Sequence, residues 1–326
     1  MLVLDAQSVR RLLPMSAAID ELRSMFVASA DGGAFQPSRI VLQPPQTNGG
    51  FVFLKPAGIG GRLPSFGMKL ISYFPQNPSR SLASINGFVV LFDTTTGQPL
   101  ALLEGASITE IRTGAVSGVA TDALARADAG ELAIIGSGVQ AQAHLTALAH
   151  VRSLRRVRVW SRNPVSAKQF VHWAGEHGFN VQACDDLRSA VEDADLICTV
   201  TASRQALVDA AWVAPGAHVN AVGAFEADAR ELHGNLVARA TIVVDSREEA
   251  TKAAGDLLLA QQEGLLAEAT DFAELAEVLA GRRPGRTDGE EITVFKSLGL
   301  AIEDIAVAAY IVRAAQDQGL GIEVSL

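Results

Sequence analysis

Residues 131–163, ELAIIGSGVQAQAHLTALAHVRSLRRVRVWSRN, place a short apolar strand, a Gly-x-Gly-x-x-Ala turn, a helix pattern and a second strand in immediate succession. That order constrains the chain to a parallel strand–helix–strand crossover shaped for a dinucleotide. Gly136 allows the tight turn, Gly138 lets backbone approach a pyrophosphate, and Ala141 is small enough for the helix to pack on the sheet. The helix start offers unpaired N–H groups and the positive dipole end to phosphates. Without such flanks the glycines would be ordinary punctuation. An Asp or Glu commonly ends the second strand where NAD is preferred; this chain has Ser161 and Arg162. A hydroxyl beside a guanidinium suits a 2′-phosphate, which favours NADP(H) and leaves NAD(H) open. The plainer reading makes Arg162 one more solvated arginine beside Arg155, Arg156 and Arg158.

At 326 residues the chain exceeds one ordinary core, so two domains are expected. Apolar residues at 48% and charged ones at 19% fit a globular protein without extended disorder. A formal charge of −9 argues against nucleic acid or an anionic membrane as partner. An anionic ligand must then be held by a local basic cluster. Charges interrupt every apolar run near the N-terminus, and no later stretch reaches about 18 uninterrupted apolar residues, so a cytoplasmic protein is expected. Cys184 and Cys198 fall in predicted buried strands and read as reduced core thiols. No metal site is expected: His172 and His177 lie on different helix faces, and no His-Glu-x-x-His pattern exists. A Gly-x-Ser-x-Gly nucleophile elbow is absent too.

From Glu131 to about Lys296 strands alternate with helices: LAIIG, RRVRVW, NVQAC, LICTVT, HVNAVG, TIVVDS and EITVFK. The fold class is therefore α/β, with a Rossmann-type doubly wound parallel sheet. The region before it differs. One or two helices occupy residues 1–30, a proline-rich segment carries Gln36-Pro37-Ser38-Arg39, and GGFVFLKPA, SFGMKLISYF, INGFVVLFD and QPLALLEG follow as strands without helices between them. Asp93 to Gly97 reads as a hairpin turn, so this sheet is expected to be antiparallel. Ser107-Ile108-Thr109-Glu110 reads as a capping box for a helix running to about Arg126. Leu298 to Ala315 is a helix too apolar to be left solvated, and it is expected to return to the first domain. The expected division is 1–120 with 297–326, a discontinuous α+β domain, and 121–296, the nucleotide domain.

Arg39, Lys69 and Arg112 stand out in the first domain, Lys69 inside the apolar run FGMKLISYF. Singly each reads as a surface charge; together, beside a nucleotide domain, they suggest a grip for a carboxylate. Over nearly its whole length the chain resembles the ornithine cyclodeaminase and mu-crystallin family: PSRIVL, GMKLISYFPQNP, VVLFDTTTGQPLALLEGASITEIRTGAVSG, IIGSGVQAQAHL, VNAVGA, VVDS, GDL and ITVFKSLGLAIEDIAVA carry the resemblance. It implies a Rossmann domain beside an antiparallel-sheet domain that also forms a homodimer, with the active site in the cleft between them. It also implies that Arg39, Lys69 and Arg112 bind the substrate carboxylate. Nucleotide contacts would fall on Ser84, Arg112, Thr113, Gly136, Ser137, Gly138, Val139, Gln140, Ser161, Arg162, Asn163, Thr201, Val222 and Ser297, with Leu298 and Gly299 beside the substrate.

One departure bears on chemistry. Where the family's cyclodeaminases place an Asp after Asn-Ala-Val-Gly-x, this chain has Phe225. Glu226 and Asp228 lie near, but a shift of one residue redirects a side chain, and both read as loop acids. The resemblance then points to the imine-reducing branch, the ketimine reductases. The expected activity is NAD(P)H-dependent reduction of an α-imino acid, a cyclic ketimine such as Δ1-pyrroline-2-carboxylate or Δ1-piperideine-2-carboxylate, or a linear one. Lys69 is the expected proton donor or relay, its pKa lowered by neighbouring arginines. Ornithine or lysine cyclodeamination, an alanine-dehydrogenase-like reaction and a crystallin-type binding protein are the alternatives.

Overall fold

A computed structural model describes residues 1–47, 49–60 and 64–325. The chain forms two compact units, Met1–Arg112 with Leu300–Leu326, and Thr113–Gly299. These boundaries differ from the expected cuts after residue 120 and before residue 297, because the helix Gly105–Leu124 begins in one unit and ends in the other.

The first unit holds one eight-stranded sheet in the order Ile322–Glu323, Leu2–Leu4, Pro99–Glu104, Ile85–Phe92, Ser65–Tyr73, Phe51–Ile59, Ala34–Phe35, with Ile40–Leu42 also on Phe51–Ile59. It is antiparallel except where Leu2–Leu4 runs parallel to Pro99–Glu104. Strand alternation puts Ala57, Ile71, Val89, Leu91, Ala101 and Leu103 on a buried face. The helices Met15–Ser29 and Ala301–Gln318 pack together, and the latter lies on the three central strands. The apolar C-terminal helix thus belongs to this unit, as its composition requires. The Asp93–Gly97 turn forms with Asp93 Oδ1 accepting from Thr95 N and Thr96 N, and Gly97 at φ 72°.

Two local expectations fail here. The helix after the hairpin starts at Gly105, and its first N–H groups at Ala106 and Ser107 donate to the Glu104 carboxylate at 2.6 and 2.9 Å. Glu110 is drawn outward by Arg10 instead of reaching back to Ser107, so the capping box does not form. The C-terminal helix starts at Ala301, three residues late, because Leu298 N and Gly299 N donate to Asp245 Oδ2 and Gly299 turns at φ 76°.

The second unit holds an all-parallel sheet in the order Val181–Ala183, Arg156–Trp160, Glu131–Ile135, Leu196–Thr199, His218–Ala221, Thr293–Lys296, Thr241–Val244, Ala273–Glu274. Its central strands are buried on both faces, which is why they read as continuous apolar runs. The EITVFK segment, last in sequence, inserts between two earlier strands, and the two-residue Ala273–Glu274 strand carries no sequence signal. Strand order reverses between Glu131–Ile135 and Leu196–Thr199, which opens a crevice at the carboxyl ends of the strands. Cys198 is buried in its strand, whereas Cys184 lies one residue past the end of its own and is partly exposed. Among the described residues, no helix is long and apolar enough to cross a membrane.

Candidate functional site

Within the first unit the structure brings Lys69 and Arg112 onto one pair of acids. Lys69 is fully buried, and its Nζ donates to Asp304 Oδ1 at 2.7 Å and to Thr109 Oγ1 at 3.2 Å. Arg112 Nε donates to the same Asp304 oxygen at 3.1 Å, and its Nη1 to Glu303 Oε2 at 2.8 Å. Glu303 and Asp304 sit fully buried in the first turn of the Ala301–Gln318 helix, where the dipole favours negative charge. That first turn has no cap of its own. Instead Ile302 N donates to Gln36 Oε1 at 3.0 Å, which fastens the Arg39-bearing segment to the helix end.

Lys55 joins this cluster, though sequence reading passed it over. It pairs directly with Lys69 across the antiparallel strands and is 7% exposed. Burial lowers its pKa, Arg112 and Arg39 push the same way, and Asp304 and Glu303 oppose. For Lys69 burial is likewise the leading cause, bringing the ammonium down to about 7; Arg112 and Lys55 add to it and Asp304 resists. Arg112 thus lowers it in the expected direction, with burial the larger cause. Asp304 stays ionised: burial raises its pKa, but Lys69, Arg112 and Lys55 together hold it below the ordinary carboxylate range. Arg39, half-buried, reaches the cluster through its field on Lys55. Arg39, Lys55, Lys69 and Arg112 thus gather around Glu303 and Asp304, an arrangement that suits an anion and keeps Lys69 ready to lose a proton near neutrality.

The second unit presents the dinucleotide features. Gly136 turns at φ 117°, and a Cβ there would lie 2.8 Å from Val200 O, so only glycine fits. Gly138 caps the Val139–Val151 helix, and the position of its missing Cβ has nothing within 4 Å, leaving room for a ligand against the backbone. Buried Ala141 lets that helix close on the sheet. Gln140 Oε1 is buried without a hydrogen-bond partner among the described residues, and Val139 is 58% exposed beside it. Ser161, Thr201, Val222 and Ser297 follow the carboxyl ends of their strands, as does the turn at Ser137. Arg162 is exposed and pairs with no carboxylate among the described residues. Asn163 caps the Pro164–Glu176 helix through Val165 N at 3.0 Å, which gives it a structural task. Of the remaining expected contacts, Thr113 is buried in its helix, and Ser84 lies in the first unit, its carbonyl accepting from Phe74 N at 2.8 Å.

These loops rest on buried charges absent from the sequence reading. Glu231 accepts from Thr201 N, Thr201 Oγ1 and Gly223 N, each at 2.7 Å. Asp256 accepts from Glu231 N and Leu232 N, and Lys296 Nζ lies 2.8 Å from its other oxygen. Asp245 holds Leu298 and Gly299 in the same manner. Phe225 is partly buried against the hydrophobic core, while Glu226 and Asp228 both pair with Arg204. Both acids are thus engaged on the surface.

A curated Δ1-pyrroline-2-carboxylate reductase of Bacillus cereus is 38% identical to the chain over 324 residues, 98% of each protein. The ketimine reductase mu-crystallin of Mus musculus is 38% identical over 295 residues, covering 90% of this chain and 88% of its own. The structure of Thermococcus litoralis Δ1-pyrroline-2-carboxylate reductase with NADH and L-proline superimposes with a TM-score of 0.96 at 37% identity, covering 99% of this chain and all of that one. A family model described as ornithine cyclodeaminase/mu-crystallin matches residues 1–319. With the Gly136 turn, the buried Lys69 cluster and these whole-length likenesses in agreement, the chain belongs to the ornithine cyclodeaminase/mu-crystallin family.

Proposed function

We propose that the chain is an NAD(P)H-dependent reductase of α-imino acids. The observation that carries this reading is Lys69, a fully buried lysine with a pKa near 7 among cations fit to hold a carboxylate. Arg39, Arg112 and Lys69 hold the substrate carboxylate and so fix the imine carbon and nitrogen. Lys69 then supplies the proton that makes the imine a better hydride acceptor, while Asp304 stays ionised and keeps the emptied amine oriented. A bound nicotinamide supplies the hydride. Its holders are the Gly136 to Gln140 turn, Thr113, Thr201, Val222 and Ser297, and the room at Gly138 fits a pyrophosphate. Phe225 supports net reduction over cyclodeamination, since no acid stands there to activate water.

NADPH is the preferred reductant in this reading, because Arg162 and Ser161 end the second strand without a carboxylate. The test is spectrophotometric. NADPH oxidation by Δ1-pyrroline-2-carboxylate or Δ1-piperideine-2-carboxylate, or by a 2-oxo acid with ammonia, is expected; ammonia release from ornithine without net NADH formation would overturn the reading. Arg162→Ala should cut the NADPH to NADH ratio of kcat/KM by about 10- to 100-fold, the loss of one or two charge-assisted hydrogen bonds. An unchanged ratio would return Arg162 to the solvent.

The outer face of the first sheet supports a homodimer. Phe66, Phe88 and Leu100 are 45%, 37% and 44% exposed there. A contiguous apolar sheet face of this kind is normally covered, and a second copy offers the same face. Light scattering at micromolar concentration should give a dimer; a monomer would exclude this.

A further inference from the structure

The turn Ser297-Leu298-Gly299 follows the carboxyl end of the Thr293–Lys296 strand, the side on which a sheet of this kind binds its ligands. Each of its amides is held. Ser297 N donates to Ala221 O of the adjoining strand at 3.1 Å, whereas Leu298 N and Gly299 N both donate to one oxygen, Asp245 Oδ2, at 2.5 and 2.7 Å. Gly299 lies in the left-handed region at φ 76°, and successive amides aimed at one point make a concavity suited to an anion. Asp245 fills it from the end of the Thr241–Val244 strand. Main chain thus fixes the first residue of the turn, and a single side chain fixes the next two. Stability alone does not account for an acid there. Asp245 is 3% exposed, and its Oδ1 has no hydrogen-bond partner among the described residues. Burial raises its pKa against the Leu298 and Gly299 amides and Lys296, and Lys296 Nζ already lies 2.8 Å from Asp256. An apolar side chain would avoid that cost, but it could not hold two amides.

We infer that Asp245 is a positioning residue for hydride transfer, acting through the Leu298 and Gly299 amides to fix the turn whose Ser297 holds the nicotinamide. The assignment rests on the reductase reading and adds to it the residue that sets the turn. Asp245 acts without touching either reactant. Its effect falls on the hydride step, because a displacement of about 1 Å at a reacting group can cost about 10²-fold in rate.

The experiment is a single turnover, in which the full-length protein saturated with NADPH is mixed rapidly with Δ1-pyrroline-2-carboxylate and the loss of NADPH absorbance is followed. Its first-order rate constant reports the hydride step, and its amplitude reports how much protein is folded. A merely structural role would move only the amplitude. Asp245→Ala should lower the rate constant by about tenfold or more, and Asp245→Asn, whose amide oxygen can still accept from both amides, should restore most of the loss. Asp245→Ser, with a side chain one atom shorter, provides the same comparison should the alanine variant not fold. A loss below about tenfold, a loss confined to the amplitude or to NADPH affinity, or an asparagine variant no faster than the alanine one overturns the inference. Wild-type protein that oxidises NADPH with no imine at all would instead count against the reductase reading.

Discussion

Lys69→Met is expected to lower kcat/KM for imine reduction by about 10³-fold or more while leaving NADPH affinity within about threefold of wild type. The asymmetry follows from where the residue sits. Lys69 Nζ contacts Asp304 and Thr109 in the first unit, and the glycine turn, Thr201 and Val222 belong to the second. Methionine fills similar volume, and Asp304 keeps its bond from Arg112 Nε at 3.1 Å, so one partner remains for the buried carboxylate. What disappears is the proton and one of the charges on the substrate carboxylate. The pH profile separates this from mere misfolding. Since the Lys69 pKa lies at about 7, the protonated, competent form is fully present below that value and is lost above it. Wild-type kcat/KM should therefore fall as pH rises through about 7, and the residual activity of the variant should lack that limb. Turnover near the wild-type rate, or a variant profile with the same limb, would remove Lys69 from the proton transfer.

Much of this architecture could be read from the chain because its signals are local. The strands at 131–135 and 156–160 and the turn between them follow from apolar runs and glycines a few residues apart. The four long strands of the first sheet follow from alternation in FVFLKPA, FGMKLISY, INGFVVLF and PLALLE. Lys69 was visible as a charge inside such a run. Lys55 was equally visible in principle, since it shares strand parity with buried Ala57, but its meaning depends on a register that places it against Lys69. Glu303 and Asp304 were hidden differently. They read as the ordinary acidic start of a helix, and only its packing on the sheet, 191 or more residues away in sequence from Arg112, turns them into buried counterions. The capping box failed for the same reason in reverse: a tertiary partner, Arg10, took Glu110, and the preceding Glu104 was free to cap in its place.

Lys296→Met should be the most destabilising single change in the nucleotide unit, costing about 3–5 kcal/mol because it strands buried negative charge. Lys296, Asp256 and Glu231 are all fully buried, and Lys296 Nζ bridges Asp256 Oδ2 and Ala224 O. Burial already raises the Glu231 pKa, the Asp256 carboxylate adds to that, and Lys296 is the cation that opposes them. Without it, a proton must be taken up or a carboxylate exposed. For a unit of the size of Thr113–Gly299 the cost corresponds to a Tm lowered by about 6–20 °C. Because Glu231 anchors Thr201 and Gly223, cofactor affinity should fall with it, unlike in Lys69→Met. The pH dependence of the deficit follows from linkage. A carboxylate whose folded pKa is raised binds a proton in the folded state before it does when unfolded, so its contribution improves as pH falls from the folded value toward the ordinary 4.5 of a glutamate. The deficit of the variant, measured by urea unfolding, should accordingly narrow on acidification from neutral pH. A deficit below about 1 kcal/mol, or one that is flat across that window, would mean that water or a local rearrangement neutralises the acids and that Lys296 is not what holds the Glu231 and Asp256 charges in place.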